Sequence, residues 1–158
     1  MTLQALHEIL ASEGLAMSNV GSISDTSIAG VVCTGTHGSG MDYGCLSTHV
    51  LALEVILADG SRVRCSRSEE PDLFLATLCG LGTTGLIIRV TLQIERAFRL
   101  KEVRRVMHID DVISHIESIS LSGEYIRAWW SPQTNLVSVM SSDRTIEVRS
   151  TTKSNASM

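Results

Sequence analysis

Apolar residues near the start of the chain recur at the spacing of an α-helix. Leu3, Leu6 and Ile9 lie three positions apart, and Leu10 lies four positions after Leu6. This spacing places them on one helical face, and Gly14 stands where such a helix would end. The following segment, LAMSNV, predicts a short strand that leads into a glycine-rich loop.

Two later segments alternate apolar and polar residues with the period of a β-strand. Residues 50–66, VLALEVILADGSRVRCS, predict a hairpin with its tight turn at Asp59 and Gly60. Residues 86–95, LIIRVTLQIE, predict a long strand. Its apolar face is expected to consist of every second residue, namely Leu86, Ile88, Val90, Leu92 and Ile94.

A helix is predicted between the hairpin and the long strand. Ser68 is expected to cap this helix, and Pro71 fits its first turn. The helix is expected to run through Leu78, with Gly80 just beyond its end.

The pattern changes in the last third of the chain. From Leu100 it predicts a strand, a helix at about 110–120, and strands at 125–130 and 136–140. This change predicts a boundary near Ala97. Together the elements predict an α+β fold without internal repeats.

The most informative polar stretch is residues 21–40, GSISDTSIAGVVCTGTHGSG. Its five glycines are interleaved with seven Ser or Thr hydroxyls. Glycines let a backbone come close to a ligand, and the N–H groups and hydroxyls then suit phosphate. Ser24 is expected to cap a short helix that points at the loop. A flexible surface loop is the alternative, but flanking apolar runs and the lack of Lys, Arg and Glu favour a packed loop.

The two common nucleotide motifs do not fit this stretch. GxxxxGK[ST] does not occur, and the order of Gly35, Gly38 and Gly40 does not match G-x-G-x-x-G after a strand. A P-loop NTPase and an ordinary Rossmann dehydrogenase are therefore both poor interpretations.

Residues 19–40, NVGSISDTSIAGVVCTGTHGSG, closely resemble the second flavin-contacting segment of the FAD-dependent sugar-1,4-lactone oxidases. This family includes the L-gulonolactone and D-arabinono-1,4-lactone oxidases and has the vanillyl-alcohol-oxidase (VAO) type of FAD fold. The likeness continues through VLALEVILADGSRVRCS, PDLFLATLCGLGTTGLIIRVTLQIE and EYIRAWWSP. It covers roughly residues 3–144, and the fungal arabinonolactone oxidases look most similar.

The resemblance implies a domain organisation. Residues 1–97 would be the second subdomain of a VAO/PCMH-type FAD-binding domain, and residues 98–144 would begin a substrate cap domain. Residues 145–158, rich in Ser and Thr, are expected to be a disordered tail. The family's Gly-Gly-Gly-His-Ser type pyrophosphate loop and its C-terminal substrate-binding residues do not occur here. The chain is therefore expected to be a fragment that is inactive in isolation.

The resemblance also implies site residues. Ser27 would act in catalysis by placing its hydroxyl near the reactive ring nitrogen of FAD, although a helix-end hydroxyl is an equal alternative. His37 is expected to donate through its backbone while its ring is held structurally. The residues expected to bind the cofactor are Gly21, Ser22, Ile23, Ser24, Ser27, Gly30, Thr34, Gly35, Thr36, His37, Gly38, Ser39, Gly85 and Ile87.

The implied activity is oxidation of an aldono-1,4-lactone towards ascorbate or erythroascorbate. FAD would take a hydride from the hydroxyl-bearing carbon beside the lactone carbonyl, and oxygen would reoxidise the flavin. A truncated, non-catalytic chain that binds flavin or pairs with another chain is the alternative. An intracellular location is expected, and the family resemblance allows association with mitochondrial or other organelle membranes.

Composition narrows the choice of partners. A net charge of −4 argues against nucleic acid, which needs a basic patch. The longest apolar stretch, residues 50–58, is far too short to span a bilayer. The first residues lack the pattern of a signal peptide, so none is expected.

The remaining candidate groups give weaker signals. The spacing of the four cysteines and five histidines matches no metal site, so no metal is expected and the cysteines are expected to be buried or half-buried free thiols. Trp129 and Trp130 resemble a sugar-stacking platform. Neighbouring strand residues face opposite sides, so at most one can stack, and packing is the favoured interpretation.

Overall fold

The computed structural model of the chain describes residues 1–147. The helices in this range are α1 (Leu3–Ser12), α2 (Ile28–Cys33), α3 (Pro71–Thr77), α4 (Ile109–Ser114) and α5 (Ile116–Ser120). The strands are β1 (Leu15–Ala16), β2 (Val50–Ile56), β3 (Arg62–Ser66), β4 (Leu86–Leu92), β5 (Glu95–Arg96), β6 (Arg99–His108), β7 (Tyr125–Ser131) and β8 (Leu136–Thr145). Two 3-10 turns, Met41–Tyr43 and Leu46–His49, precede β2. This mixture confirms the α+β class.

The strands form three antiparallel sheets. One has the order β3-β2-β4, another has the order β6-β8-β7, and β1 pairs with β5. Ala97, the predicted boundary, lies between β5 and β6. The disordered tail was predicted for residues 145–158, and its start was wrong because strand β8 extends through Thr145. Residues 148–158 of that prediction lie outside the described residues.

Helix α2 joins the two apolar clusters of the first half of the chain. Val31 packs with the α1 residues Leu3 and Leu10, whereas its neighbour Val32 packs with Phe74 and the β2–β3 hairpin. Because both sides of α2 are buried, the glycine-rich segment that follows it starts from a fixed position.

Three predicted elements in the first half of the chain are confirmed. Helix α1 forms where its apolar spacing predicts it, and Thr2 caps its N-terminus. The hairpin of β2 and β3 turns at Gly60, which adopts a φ of +84°. The strand predicted from LAMSNV forms, but it is only two residues long.

Both predicted helix caps were wrong. Helix α2 begins three residues later than Ser24 suggested, and its cap is Ser27, whose hydroxyl accepts a hydrogen bond from the Gly30 N–H. Helix α3 begins at Pro71 after Glu70, which has a left-handed φ of +48°, so Ser68 does not cap it. Ser68 instead binds Ser66, which closes the turn out of β3.

The turn after α3 places one thiol on the surface. Cys79 has a φ of +57° and is exposed, contrary to the expectation of a buried or half-buried thiol. The left-handed turn leaves the residue exposed as a whole, although its sulfur lies 3.0 Å from the Ser47 hydroxyl.

The apolar face predicted for β4 was wrong in its first half. Leu86 is 66% exposed and Ile88 is 42% exposed, while Ile87 packs in the core. The pairing with β2 skips Ile88, which forms a β-bulge. A bulge adds one residue and reverses the alternation, so the predicted phase holds only for Val90 and Leu92.

The last third of the chain packs its helices on one face of a sheet. Val112 of α4 contacts Val137 and Val139 of the central strand β8. The single helix predicted at about 110–120 is divided at His115 into α4 and α5. The opposite face of this sheet turns towards the first half of the chain.

Candidate functional site: a cavity between the glycine loop and the sheet

The segment after α2 crosses from the first half of the chain to strand β7. Gly40 forms a β-bridge with Tyr125, and the Ile126 N–H donates to the Ser39 carbonyl at 3.1 Å. The segment 37–39, called the glycine loop below, therefore lies directly beside the sheet.

A buried asparagine holds this loop in place. Asn19 is 3% exposed, and its side-chain amide donates to the carbonyls of Gly40 at 3.4 Å and Gly44 at 3.2 Å. Its side-chain oxygen accepts from the Gly40 N–H at 3.3 Å. A Cβ on Gly38 would overlap that same oxygen, so Gly38 is required by packing against Asn19.

The loop forms a ridge between two open cavities. The larger, about 600 Å³, separates it from the β6-β8-β7 sheet. The other, about 540 Å³, lies between the loop and α5. His37, Gly38 and Ser39 line both cavities.

Five of the residues expected to bind the cofactor meet at the larger cavity. They are Gly21, Ser22, His37, Gly38 and Ser39. Within the described residues, no hydrogen bond engages the Ser22 and Ser39 hydroxyls, which leaves both free for a ligand. The His37 ring is held by its own loop, because Nδ1 donates to the Gly38 carbonyl at 2.8 Å.

Other expected site residues do not line either cavity. Thr34 and Thr36 bind each other through their hydroxyls at 3.2 Å. Gly85, at a φ of +151°, packs against the backbone of β2, and the Ile87 side chain lies in the core. Ile23, Ser24, Gly30 and Gly35 are also outside the two linings.

Ser27 acts as a helix cap in this structure. Its hydroxyl accepts from the Gly30 N–H at 3.0 Å, and its backbone bridges to Thr2. A serine hydroxyl that accepts one hydrogen bond retains its own proton for donation. The cap therefore supports the helix-end interpretation and leaves the hydroxyl a free donor.

The sheet contributes polar and aromatic side chains that the sequence did not single out as a set. Arg127 donates to Glu102 at 2.7 Å, and both line the larger cavity. Trp129 lines it too and is 65% exposed, whereas Trp130 points to the other face of the sheet. The expectation that at most one tryptophan can face a ligand thus fits Trp129.

A second polar group joins the two halves behind the cavity. Arg144 donates to both oxygens of Glu95 at 2.7 Å and to Glu124 at 2.8 Å. Tyr43 donates to Glu124 and stacks on Tyr125, with ring centroids 5.5 Å apart. We call these five residues the junction cluster.

Electrostatics favour charged carboxylates and a neutral tyrosine within the junction cluster. The hydrogen bond from Arg144 lowers the pKa of Glu95 below its ordinary value. Burial works to raise the pKa of Glu124, but hydrogen bonds from Tyr43 and Arg144 outweigh it and lower the pKa. The bond to Glu124, together with burial, raises the pKa of the Tyr43 hydroxyl, so it stays a proton donor.

The donor set of the larger cavity suits a polar, partly anionic ligand. The loop side offers peptide groups and the free hydroxyls of Ser22 and Ser39, and it carries no acidic side chain. Glu102 is the one carboxylate among the described lining residues, and Arg127 pairs with it. Each of the two cavities, at about 600 and 540 Å³, is within the size range of ligand pockets in proteins.

No helix within residues 1–147 is long and apolar enough to cross a membrane. The same residues contain no group of three or more His, Cys, Asp or Glu side chains that could hold a metal ion.

Two family models match the chain, one in each half of the sequence. Residues 1–66 match the family model described as FAD binding domain, and residues 90–158 match the model of D-arabinono-1,4-lactone oxidase. The second match passes Arg144, so the expectation that the likeness ends there was wrong.

Individual relatives carry the same two names. The chain is 39% identical to D-arabinono-1,4-lactone oxidase of Yarrowia lipolytica over 82% of its length, which is 25% of that relative. It is 35% identical to the Kluyveromyces lactis enzyme of that name, over 93% of the chain and 28% of the relative. It is 38% identical to mouse L-gulonolactone oxidase, over 90% of the chain and 32% of the relative.

The chain thus spans about a quarter to a third of the length of the curated relatives it matches. Relatives of both names match at similar identity, which does not separate the two substrates. The two family matches and these relatives agree, and the chain belongs to the family of FAD-dependent sugar-1,4-lactone oxidases.

Proposed function

We propose that this chain supplies the flavin-contacting loop and one substrate-facing wall of an enzyme that oxidises an aldono-1,4-lactone with oxygen as acceptor. One observation carries the proposal. The 600 Å³ cavity is lined on one side by residues 17–22, within the FAD binding domain match, and on the other by β6, β7 and β8, within the lactone oxidase match. A cavity between these two segments would bring cofactor and sugar lactone together.

The loop side would hold the flavin. The backbone of residues 37–39 and the free hydroxyls of Ser22 and Ser39 would bind its polar chain. When bound, FAD would accept a hydride from the hydroxyl-bearing carbon beside the lactone carbonyl. Residues 1–97 would form the flavin part and residues 98–144 the cap part, with the cavity between them.

The sheet side would hold the lactone. The exposed face of Trp129 offers a platform for the C–H face of a sugar ring. Arg127 would donate to the lactone carbonyl or to ring hydroxyls, and Glu102 would keep its guanidinium in place and accept from a hydroxyl. This division of roles predicts that Arg127 and Trp129 affect lactone binding more than flavin binding.

Ser27 remains a candidate for contact with the reactive flavin nitrogen. Its hydroxyl proton is free, and a hydrogen bond there would stabilise the negative charge that follows hydride transfer. Its cap on Gly30 would then fix the direction of the donor.

The first experiment measures flavin binding by the purified chain. Titration with FAD, followed by quenching of flavin fluorescence, should show saturable binding. Ser22→Glu should weaken FAD binding at least about tenfold, since it would place a carboxylate in the cavity wall beside the anionic cofactor. Thr26→Glu is the matched control, because Thr26 is exposed and outside both linings, and it should bind like the parent. Equal weakening by both variants, or no binding by the parent chain, would contradict the placement of the flavin.

The second experiment measures the lactone side. With FAD bound, D-arabinono-1,4-lactone should quench tryptophan fluorescence, and Trp129→Ala should abolish the quenching while Trp130→Ala retains it. FAD binding without any change on addition of the lactone would instead favour a non-catalytic flavin-binding chain.

A further inference from the structure

Two thiols meet at a buried hydroxyl on the far side of the glycine-rich segment. The Ser47 Oγ lies 3.0 Å from the Cys45 Sγ and 3.0 Å from the Cys79 Sγ. Ser47 is only 2% exposed, so the hydroxyl is fixed in the fold. The two sulfur atoms therefore lie within two hydrogen-bond lengths of each other, although 34 positions separate them in the sequence.

The backbone holds both cysteines where they are. Cys45 precedes the second 3-10 turn and forms a β-bridge with His37 of the glycine loop. The Cys79 N–H donates to the Val32 carbonyl near the end of α2 at 3.0 Å. Backbone hydrogen bonds within the fold therefore fix the positions of both cysteines.

The surroundings of the two thiols suit oxidation. Cys79 is exposed and Cys45 is half-buried, so a small oxidant can reach the pair. The hydrogen bond from Ser47 lowers the pKa of the Cys45 thiol, with further help from Thr48 and Cys79. Burial raises the pKa of Cys65, which is shielded in the core. A thiol of lowered pKa beside a second thiol is the arrangement found in cysteines that oxidise reversibly.

We propose that Cys45 and Cys79 form a reversible disulfide when the chain meets a hydroperoxide. The Cys45 thiolate attacks one peroxide oxygen, the O–O bond breaks, and a sulfenic acid and hydroxide form. The Cys79 sulfur then attacks the Cys45 sulfur, the S–O bond breaks, and the S–S bond forms. The second hydroxide leaves as water with the Cys79 proton. Two thiols lose two electrons, and hydrogen peroxide takes them to become two waters.

The bond would tie two segments that border the glycine loop. It would link the turn that pairs with His37 to the turn that follows α3. The Cys79 sulfur already lies 3.6 Å from where a Cβ on Gly35 would sit, so the bond would form beside the segment that leads into the glycine loop. Oxidation would therefore restrict the loop without changing any residue of the cavity.

The test maps thiols in the unaltered chain. The folded protein is treated with hydrogen peroxide in small excess, alkylated, digested without reduction and analysed by mass spectrometry. The expected product is a Cys45–Cys79 cross-linked peptide that dithiothreitol removes, with Cys33 and Cys65 still alkylated. Cross-links that involve Cys33 or Cys65, or alkylation of all four thiols after treatment, would overturn the proposal.

A variant identifies the attacking sulfur. In Cys79→Ser, which circular dichroism should show to be folded, a sulfenic acid should accumulate on Cys45 and react with dimedone. Cys33→Ser is the matched control and should form the cross-link at the parent rate. Dimedone labelling at Cys33 in place of Cys45, or slow cross-linking in the control, would count against the assignment.

Discussion

Arg144 offers the strongest test of how the two halves of the chain are joined. Replacing it with methionine keeps a flexible side chain of similar length, but removes the donors to Glu95, Glu124 and Tyr43. It also removes the guanidinium that lies 4.0 Å from the centre of the Phe98 ring. Both carboxylates then remain partly buried without a cation.

The size of the effect follows from burial. The side chains of Arg144, Glu95 and Glu124 are 34%, 30% and 24% exposed, so the pairs are neither fully solvated nor fully buried. Exposed pairs contribute about 0.2–1 kcal/mol, and breaking a buried pair costs about 3–5 kcal/mol. We therefore expect Arg144→Met to lower the free energy of unfolding by about 2–3 kcal/mol. At about 2–4 °C per kcal/mol, the melting temperature should fall by roughly 5–10 °C.

The assay is thermal unfolding by circular dichroism, repeated in urea. Arg144→Lys keeps the charge but loses the forked contact with Glu95, so it should fall between the parent and Arg144→Met. Lys101→Met is the control, because it removes an exposed pair with Glu147 and should cost less than about 0.5 kcal/mol. If Arg144→Met melts with the parent, or no lower than Lys101→Met, the junction cluster does not hold the halves together.

The packing of Gly38, the cap of Ser27 and the carboxylates of the junction cluster can each be tested. Gly38→Ala should lower the unfolding free energy by about 1–3 kcal/mol in urea titrations and weaken FAD binding, because its methyl group would displace Asn19; retained stability would refute that packing argument. Ser27→Ala should cost about 1 kcal/mol of stability through the lost cap. If the same hydroxyl also contacts the flavin, flavin reduction in the lactone-oxidising enzyme should slow about ten- to a hundredfold at normal FAD content, and an unchanged rate would leave only the cap. Stability should decline in acid, since the folded pKa values of Glu95 and Glu124 lie below the ordinary 4.5 and the unfolded chain takes up protons first. Their contribution is complete above pH 4.5 and disappears as the pH falls through the folded values, so an Arg144→Met chain should show a flatter acid limb.

The periodic elements could be predicted because their signal is local. The apolar spacing of α1 and the Asp59–Gly60 turn each depend on a few neighbouring residues. The phase of β4 could not be predicted, because a bulge at Ile88 depends on the partner strand. One unpaired residue was enough to exchange the buried and exposed positions.

The candidate site was predictable on one side only. The glycine-rich composition pointed to the loop, and family resemblance pointed to flavin. Asn19 gave no signal, although its three hydrogen bonds position that loop. Arg144 and Glu95 were equally silent, because 49 positions separate them and ion pairs of that range leave no periodic pattern.

The bridge between Gly40 and Tyr125 has a thermodynamic consequence. It joins the loop wall of the cavity to the sheet wall, so ordering one wall should favour ordering of the other. A ligand that binds the loop would also reduce the conformational freedom of the sheet wall. A second ligand that binds the sheet would then lose less conformational entropy on binding. Linkage makes this reciprocal, and each occupant should raise the affinity for the other by the same factor.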